Sequence, residues 1–171
     1  MFQLNSHFDK STAIQTTTAW IENQGFTIQH LNSTKPWGAY YLINDADQDK
    51  FITSYFSDSN ITTQTSLTLS LKFLLVAPNS RLSWQYHHYR QEYWYVINGP
   101  VGITLSQTDT QLSPQIFHAN SHIQIPQGTR HRLNGTQNWG LVAEIWQHTD
   151  INHPSTEFDI IRLQDDYNRK D

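Results

Sequence analysis

Turn-forming residues cut this 171-residue chain into pieces too short for a helical protein. Pro78-Asn79-Ser80, Asn98-Gly99-Pro100, Pro114, Pro126-Gln127-Gly128 and Asn134-Gly135 interrupt it, and short runs rich in β-branched and aromatic residues lie between them. The predicted strands are 26–30, 39–43, 51–56, 66–77, 81–87, 92–97, 101–106, 116–117, 122–125, 130–133, 140–146 and 158–163. Strands 39–43 and 51–56 are expected to form a hairpin around the acidic turn 44–50, and Asn134-Gly135 reads as a turn. Many short strands at regular spacing imply an all-β barrel or sandwich. The one clear helix is 11–24: Asp9 or Ser11 can cap it, Ile14, Thr17 or Thr18, and Ile21 recur at helical spacing, and Gly25 can end it. Its polar, threonine-rich composition requires that the side bearing Ile14, Trp20 and Ile21 pack on the barrel or on a partner chain.

Alternation within 66–77 separates Leu67, Leu69, Leu71, Phe73 and Leu75 from Ser66, Thr68, Ser70, Lys72, Leu74 and Val76. Lys72 thus stands among apolar neighbours, where a lysine is ordinarily an edge or snorkelling residue. Glu144 is similarly placed on the last long strand, sharing a face with Val142 and Trp146. An acid there is unusual unless paired.

Chain length and 37% hydrophobic content suit one substantial core, with no internal repeat or dividing linker. Lys and Arg number 11 against 15 Asp and Glu, which leaves no basic excess for nucleic acid and no polybasic membrane patch. The N-terminal region has no signal-peptide pattern and no apolar run is long enough to span a bilayer, so a soluble, cytoplasmic protein is expected. Without cysteine, a metal must use imidazole, carboxylate or amide groups.

Such a set is present. Gln85 and His87 are two apart, hence on one side of a strand; a tight turn can return Glu92 to that side; His131 supplies a further nitrogen. This mixture of oxygen and imidazole suits a borderline divalent metal, with zinc first and manganese, iron, cobalt or nickel as alternatives. Gln85 is the weakest donor. Tyr89, Tyr93, Tyr95 and Asn134 are candidates to orient the ligands, while His118, His122, His148 and His153 have no ligand spacing with the cluster.

The spacing matches the two short motifs of the cupin superfamily, with Gln85 where the commonest pattern has its first His. More closely, Leu82-Ser83-Trp84-Gln85-Tyr86-His87-His88-Tyr89-Arg90-Gln91-Glu92-Tyr93-Trp94 and Ile125-Pro126-Gln127-Gly128-Thr129-Arg130-His131-Arg132-Leu133-Asn134 resemble the cupin domain of type II mannose-6-phosphate isomerases. Lys35-Pro36-Trp37-Gly38-Ala39-Tyr40, Lys72 with Val76 and Pro78, and the segment from Arg162 to Arg169 extend the resemblance over residues 35–169. It implies a double-stranded β-helix that brings residue 87 beside residue 131, formed by a cupin domain at 35–171 after an N-terminal helix-and-strand extension at 1–34.

The resemblance also implies a metal-dependent aldose–ketose isomerase, with mannose 6-phosphate and fructose 6-phosphate the leading pair. Such a reaction needs a base, a stabiliser of developing negative charge and a phosphate clamp. Glu144, in a segment resembling the family's Ile-Glu-Val-Gln, is the leading base, with Lys72 assisting ring opening or charge stabilisation. Arg132 and Arg162 lead the phosphate candidates, followed by Arg90 and Arg130; Arg90 has the alternative task of anchoring the first metal loop. Residues 148–156 depart from the family pattern and weaken the assignment of the sugar, and no glycine-rich nucleotide-binding stretch precedes the cupin region. Isomerisation or epimerisation of another sugar, oxygen-dependent cupin chemistry and non-enzymatic sugar binding are the alternatives. Apolar outer strands and the helix at 11–24 make a homodimer an expectation, with a small sugar or sugar phosphate as ligand.

Overall fold

The computed structural model describes residues 2–57, 59, 61 and 69–169. Eleven strands form two antiparallel sheets among the described residues. The strands are β1 (Ile28–Asn32), β2 (Gly38–Ile43), β3 (Ser70–Val76), β4 (Trp84–Tyr86), β5 (Arg90–Asn98), β6 (Val101–Ser106), β7 (Gln115–Phe117), β8 (His122–Ile125), β9 (Arg130–Gly135), β10 (Gly140–His148) and β11 (Ile161–Gln164). One sheet has the order β1-β2-β3-β10-β5-β8 and the other β11-β4-β9-β6-β7. Their non-consecutive neighbours are those of the expected double-stranded β-helix, in which the two halves of the chain wind together.

Alternation along the central strands separates two cores. Leu74, Val76, Trp94, Val96 and Val142 meet Val101, Ile103 and Leu133 of the second sheet inside the barrel. Leu71, Phe73, Leu75, Ala143 and Ile145 point the other way, into a second core with Ile21, Phe26 and Phe51. Because β3 and β10 are covered on both faces, neither shows the half-polar alternation of an exposed strand.

Helix α1 (Lys10–Asn23) supplies much of the outer cover. The Asp9 carboxylate accepts from Thr12 N–H at 2.7 Å, and Ala13, Thr17 and Ile21 are the buried stripe. The helix therefore packs on its own chain's sheet, with Ile14 and Trp20 half-buried beside that stripe.

A second helix, α2 (Gln48–Tyr55), replaces the strand expected at 51–56. A 3-10 turn at Asp45–Asp47 leads into it, Asp47 and Asp49 favour a helix start, and the i, i+4 pair Phe51 and Tyr55 makes ring contact at 5.3 Å. Buried Phe51 also meets Phe73, so aromatic packing on the outer face of β3 favours a helix over a hairpin. Of the strand expected at 66–77, residues 70–76 are β3, and 66–68 lie outside the described residues.

Asn134 and Gly135 likewise do not form a turn; they extend β9 opposite Gly102 and Val101. A Cβ on Gly135 would lie 2.0 Å from the Ala77 carbonyl oxygen, so the glycine serves close backbone approach. None of the described helices is long and apolar enough to cross a membrane.

Candidate metal centre and active site

Strand register builds the site from two cross-strand rows. In the first sheet Lys72 pairs with Glu144, and Glu144 with Trp94. In the second, Arg162 pairs with Gln85, and Gln85 with His131. Side chains opposite one another in a sheet share a face. Glu92 lies two residues before Trp94 and so points inward as well, opposite Trp146 on β10. Lys72, Gln85, Arg90, Glu144, Trp146 and Arg162 all line one cavity.

His87, Glu92 and His131 converge beside this cavity, next to its Arg90, each almost wholly buried. His87 Nε2 lies 3.1 Å from Glu92 Oε1, His131 Nε2 lies 3.5 Å from Glu92 Oε2, and the two imidazole Nε2 atoms are 3.3 Å apart. Backbone carbonyls orient both rings: His87 Nδ1 faces Asp159 O at 3.1 Å and His131 Nδ1 faces Thr129 O at 2.9 Å. Protonation at Nδ1 satisfies both carbonyls and leaves both Nε2 lone pairs facing one point. That arrangement is repulsive for two neutral rings alone and favourable when a cation lies between them.

Electrostatics point the same way. Burial pushes His131 down to about 4, so its ring is neutral at physiological pH. Burial alone would raise the Glu92 carboxyl, but its surroundings, with the Arg90 guanidinium as the permanent positive charge beside it, outweigh burial and hold Glu92 well below the usual carboxylate range. The neutral His131 ring, the facing His87 nitrogen and one ionised carboxylate therefore fit a borderline divalent metal. Arg90 already supplies positive charge at this point, donating from Nε to Glu92 Oε1 at 2.8 Å and from Nη2 to His87 Nε2 at 3.0 Å. Gln85 faces inward beside His131, and its Oε1 accepts from Ser83 Oγ at 2.5 Å.

The indole of Trp94 links this cluster to Glu144. Its Nε1 donates to Glu92 Oε2 and to Glu144 Oε1, at 3.1 Å each. Burial, followed by repulsion from Glu92, raises the Glu144 carboxyl to about 8 against the pull of Lys72 and Arg90. Burial lowers the pKa of Lys72, opposed by Glu144 and Glu157. Its ammonium lies 3.0 Å from Glu157 Oε1 and 3.0 Å from the centre of the Trp146 ring. The lysine singled out by alternation thus projects into the barrel beside the carboxylate singled out in the same way.

The arginines divide into two groups. Arg162 lines the cavity. Arg90 also reaches it but spans the barrel mouth, donating from Nη1 to Ser155 Oγ at 2.9 Å and Thr156 O at 3.3 Å, the anchoring alternative expected for it.

Arg132 and Arg130 are not brought to the cavity. They alternate with His131 along β9 and point the other way. Arg130 donates to Asp109 Oδ1 at 2.8 Å and Gly128 O at 2.9 Å. Arg132 is fully buried and donates to Leu82 O, Gln111 Oε1, Gln164 Oε1 and Asp166 Oδ1 at 2.6 to 3.2 Å. It ties three stretches of chain to the end of β11 and is not among the residues that line the cavity. Arg132→Ala is expected to cost about 2–4 kcal/mol, because a fully buried side chain and its four part-buried, charge-assisted hydrogen bonds are lost together, and denaturant unfolding measures this directly.

Several partners were invisible in sequence. Ser155 lies in the segment that departs from the family pattern, and Glu157 and Asp159 just after it, yet they hold Arg90, Lys72 and the backbone at His88 and Tyr89. Asp159 accepts the backbone N–H groups of His88 and Tyr89 at 2.9 and 3.0 Å, and Ser155 Oγ at 2.7 Å. The expected orienting side chains lie elsewhere: Tyr95 bonds Asn120, and Asn134 bonds Gly102 O and Arg132 O. Backbone carbonyls do their work, which no residue type could signal.

Residues 55–166 match the family described as Mannose-6-phosphate isomerase C-terminal. The Xanthan biosynthesis protein XanB of Xanthomonas campestris pv. campestris is 25% identical over 169 residues, covering 97% of this chain and 30% of XanB. Mannose-1-phosphate guanylyltransferase 2 of Escherichia coli O157:H7 is 26% identical over 144 residues, covering 84% of this chain and 24% of that protein. The chain thus spans less than a third of the length of these relatives. A mutant oxalate decarboxylase OxdC of Bacillus subtilis has a similar fold, with TM-score 0.55 and 11% identity over 78% of this chain and 30% of that one.

Proposed function

This chain belongs to the mannose-6-phosphate isomerase C-terminal family, and we propose that it is a divalent-metal-dependent aldose–ketose isomerase acting on a sugar phosphate, mannose 6-phosphate and fructose 6-phosphate being the leading pair. The observation that carries the reading is the buried Glu144 carboxyl, raised to about 8 and set between Lys72 and the His87, Glu92, His131 cluster. A base that must exchange a carbon-bound proton works best with a pKa near the working pH.

His87, Glu92 and His131 would hold the metal, with Gln85 beside them, and two imidazoles with one carboxylate favour zinc among the candidates. The metal supplies a Lewis acid that polarises a sugar oxygen. In the aldose-to-ketose direction the Glu144 carboxylate takes the proton from C2. The C2–H electron pair becomes the C1–C2 double bond, and the carbonyl pair moves onto O1. Return of that proton to C1, with loss of the O2 hydroxyl proton to O1, gives the ketose. Lys72 places an ammonium beside Glu144, where negative charge develops, and its burial strengthens that interaction. Trp94 holds the Glu144 carboxyl in position through its shared N–H.

The test is isomer interconversion in deuterium oxide with zinc-loaded protein. Mannose 6-phosphate and fructose 6-phosphate are expected to interconvert with deuterium entering C1 or C2, followed by NMR. Metal-loaded protein that neither interconverts the esters nor exchanges the proton would overturn the assignment.

A further inference from the structure

The isomerisation written above starts from an open chain with a free carbonyl at C1. Hexose phosphates in water are cyclic hemiacetals, so the open chain is scarce unless the ring is opened in the site. Opening needs a base at the anomeric hydroxyl and an acid at the ring oxygen, and because those two oxygens share one carbon the acid and base have to stand side by side. Glu144 is engaged with the carbon-bound proton. Glu157, from the 3-10 turn Glu157–Asp159, is the other carboxyl group on the cavity wall among the described residues, and the isomerisation gives it no task.

We propose that Lys72 and Glu157 form a ring-opening pair, which gives the cavity a second activity: interconversion of the anomers of a cyclic sugar phosphate. This rests on the isomerase reading above and extends it to the form in which the sugar arrives. Lys72 Nζ and Glu157 Oε1 are 3.0 Å apart, and both residues line the cavity. Glu157 Oε1 takes the O1 hydroxyl proton, and the O1–H electron pair makes the second C1–O1 bond. The C1–O5 pair leaves with O5, which takes a proton from Lys72. Passage of a proton from Glu157 to Lys72 across their contact then restores the ammonium that enolisation uses. Closure of the ketose runs the sequence in reverse, with O5 attacking C2 and O2 taking the proton from Glu157. The ring oxygen is O5 in both the pyranose and the furanose, so Lys72 serves one atom in both directions.

The surroundings suit these roles. Glu144 pairs with Lys72 across the strands, and the Trp146 ring centre lies 3.0 Å from Nζ. An indole face stabilises the ammonium without accepting its proton, so the carboxylate in contact takes that part. Burial lowers the pKa of Lys72, which brings the ammonium toward the range of a working acid. Burial would raise the Glu157 carboxyl, but Lys72 beside it holds it below its ordinary value, so it stands ionised as a base. The arginines on the wall cannot replace the lysine, because a guanidinium does not release its proton in a protein. The two side chains also differ in access, Lys72 being 6% exposed and Glu157 54%. The base thus meets solvent while the acid faces the interior.

NMR magnetisation exchange between the α and β anomers of mannose 6-phosphate tests the pair in the zinc-loaded full chain. Glu144→Gln is measured alongside the parent, so that isomerisation does not deplete the aldose. Both proteins are expected to speed anomer exchange above its spontaneous rate, in proportion to protein concentration. Glu157→Gln and Lys72→Arg should each reduce that acceleration by about 10²-fold or more. Glutamine still accepts from the ammonium and arginine still pairs with Glu157, so each change keeps the contact and removes the proton transfer. A melting curve matching the parent, in either variant, shows that its loss is chemical.

No acceleration of anomer exchange by the parent or by Glu144→Gln would overturn the pair, as would variants within about two-fold of the parent. Isomerisation by the parent alongside either result keeps the isomerase reading and removes the pair alone. Anomer exchange that Glu157→Gln and Lys72→Arg lose, in a protein that does not interconvert mannose 6-phosphate and fructose 6-phosphate, keeps the pair and removes the isomerase reading.

Discussion

His131→Ala is expected to lower divalent-metal affinity by well over ~100-fold, beyond the loss typical of groups that only orient a ligand. His131 contributes one of two facing Nε2 atoms, and its fixed ring leaves no nearby nitrogen to take its place. His87→Ala should act alike, whereas His122→Ala, on a ring packed against Tyr95, should leave affinity unchanged. Zinc titration against a chromophoric chelator reads the difference, and retention of parent-like affinity by His131→Ala would remove the ligand set.

Acid should release the metal even from the parent, because protons compete for both nitrogens. His131, at about 4, resists protonation to lower pH than an ordinary imidazole. For the metal-free fold the sign is clear. A histidine whose pKa is depressed on folding is stabilised in its neutral form, so that contribution is present above pH 6.5 and is lost as pH falls toward 4. Glu92, also depressed, acts in the same direction, stabilising the fold above its unfolded pKa and ceasing to do so on acidification.

Glu144→Gln carries the second large expectation: isomerisation and deuterium exchange fall by about 10²–10⁴-fold while zinc affinity changes little. The amide can accept from Trp94 Nε1 as the carboxyl does, so the packing at this position survives and the loss is chemical. Activity of the parent should rise with pH as Glu144 ionises. In the metal-free protein that transition lies at about 8; a bound divalent cation moves it lower.

Stability runs the opposite way at this residue. A raised carboxyl pKa means that the folded state favours the protonated form, so the contribution is fully present below pH 4.5 and is lost as pH rises through about 8. Glu144→Gln removes that alkaline loss. A variant with full exchange activity, or with the same rising pH profile as the parent, would sink Glu144 as the base.

The inner side-chain cluster was readable before any coordinates. His87, Glu92 and His131 are identified by ligand chemistry and spacing, and Lys72 and Glu144 by strand periodicity, which places a lone charge among apolar neighbours. Each of these signals is local. The same alternation that brings His131 inward turns Arg132 outward, so a rule already contained in β9 keeps Arg132 from the cavity. Segment 51–56 failed differently: its aromatic residues suit strand or helix, and packing of Phe51 against Phe73 decided between them.

Other parts of the site exist only once the strands are ordered. Lys72 and Glu157 are 85 positions apart, and Lys35 and Arg169 stand at opposite ends of the chain, yet all four line one cavity. Residue type, period and turn chemistry are properties of a few neighbouring positions, and they gave most of the strands, the inward faces and the His87, Glu92, His131 cluster. Strand order and register depend on burying two cores at once, on either side of β3 and β10. That global packing paired Glu144 with Trp94, brought Glu157 to Lys72 and left Lys35, Arg162 and Arg169 around one cavity.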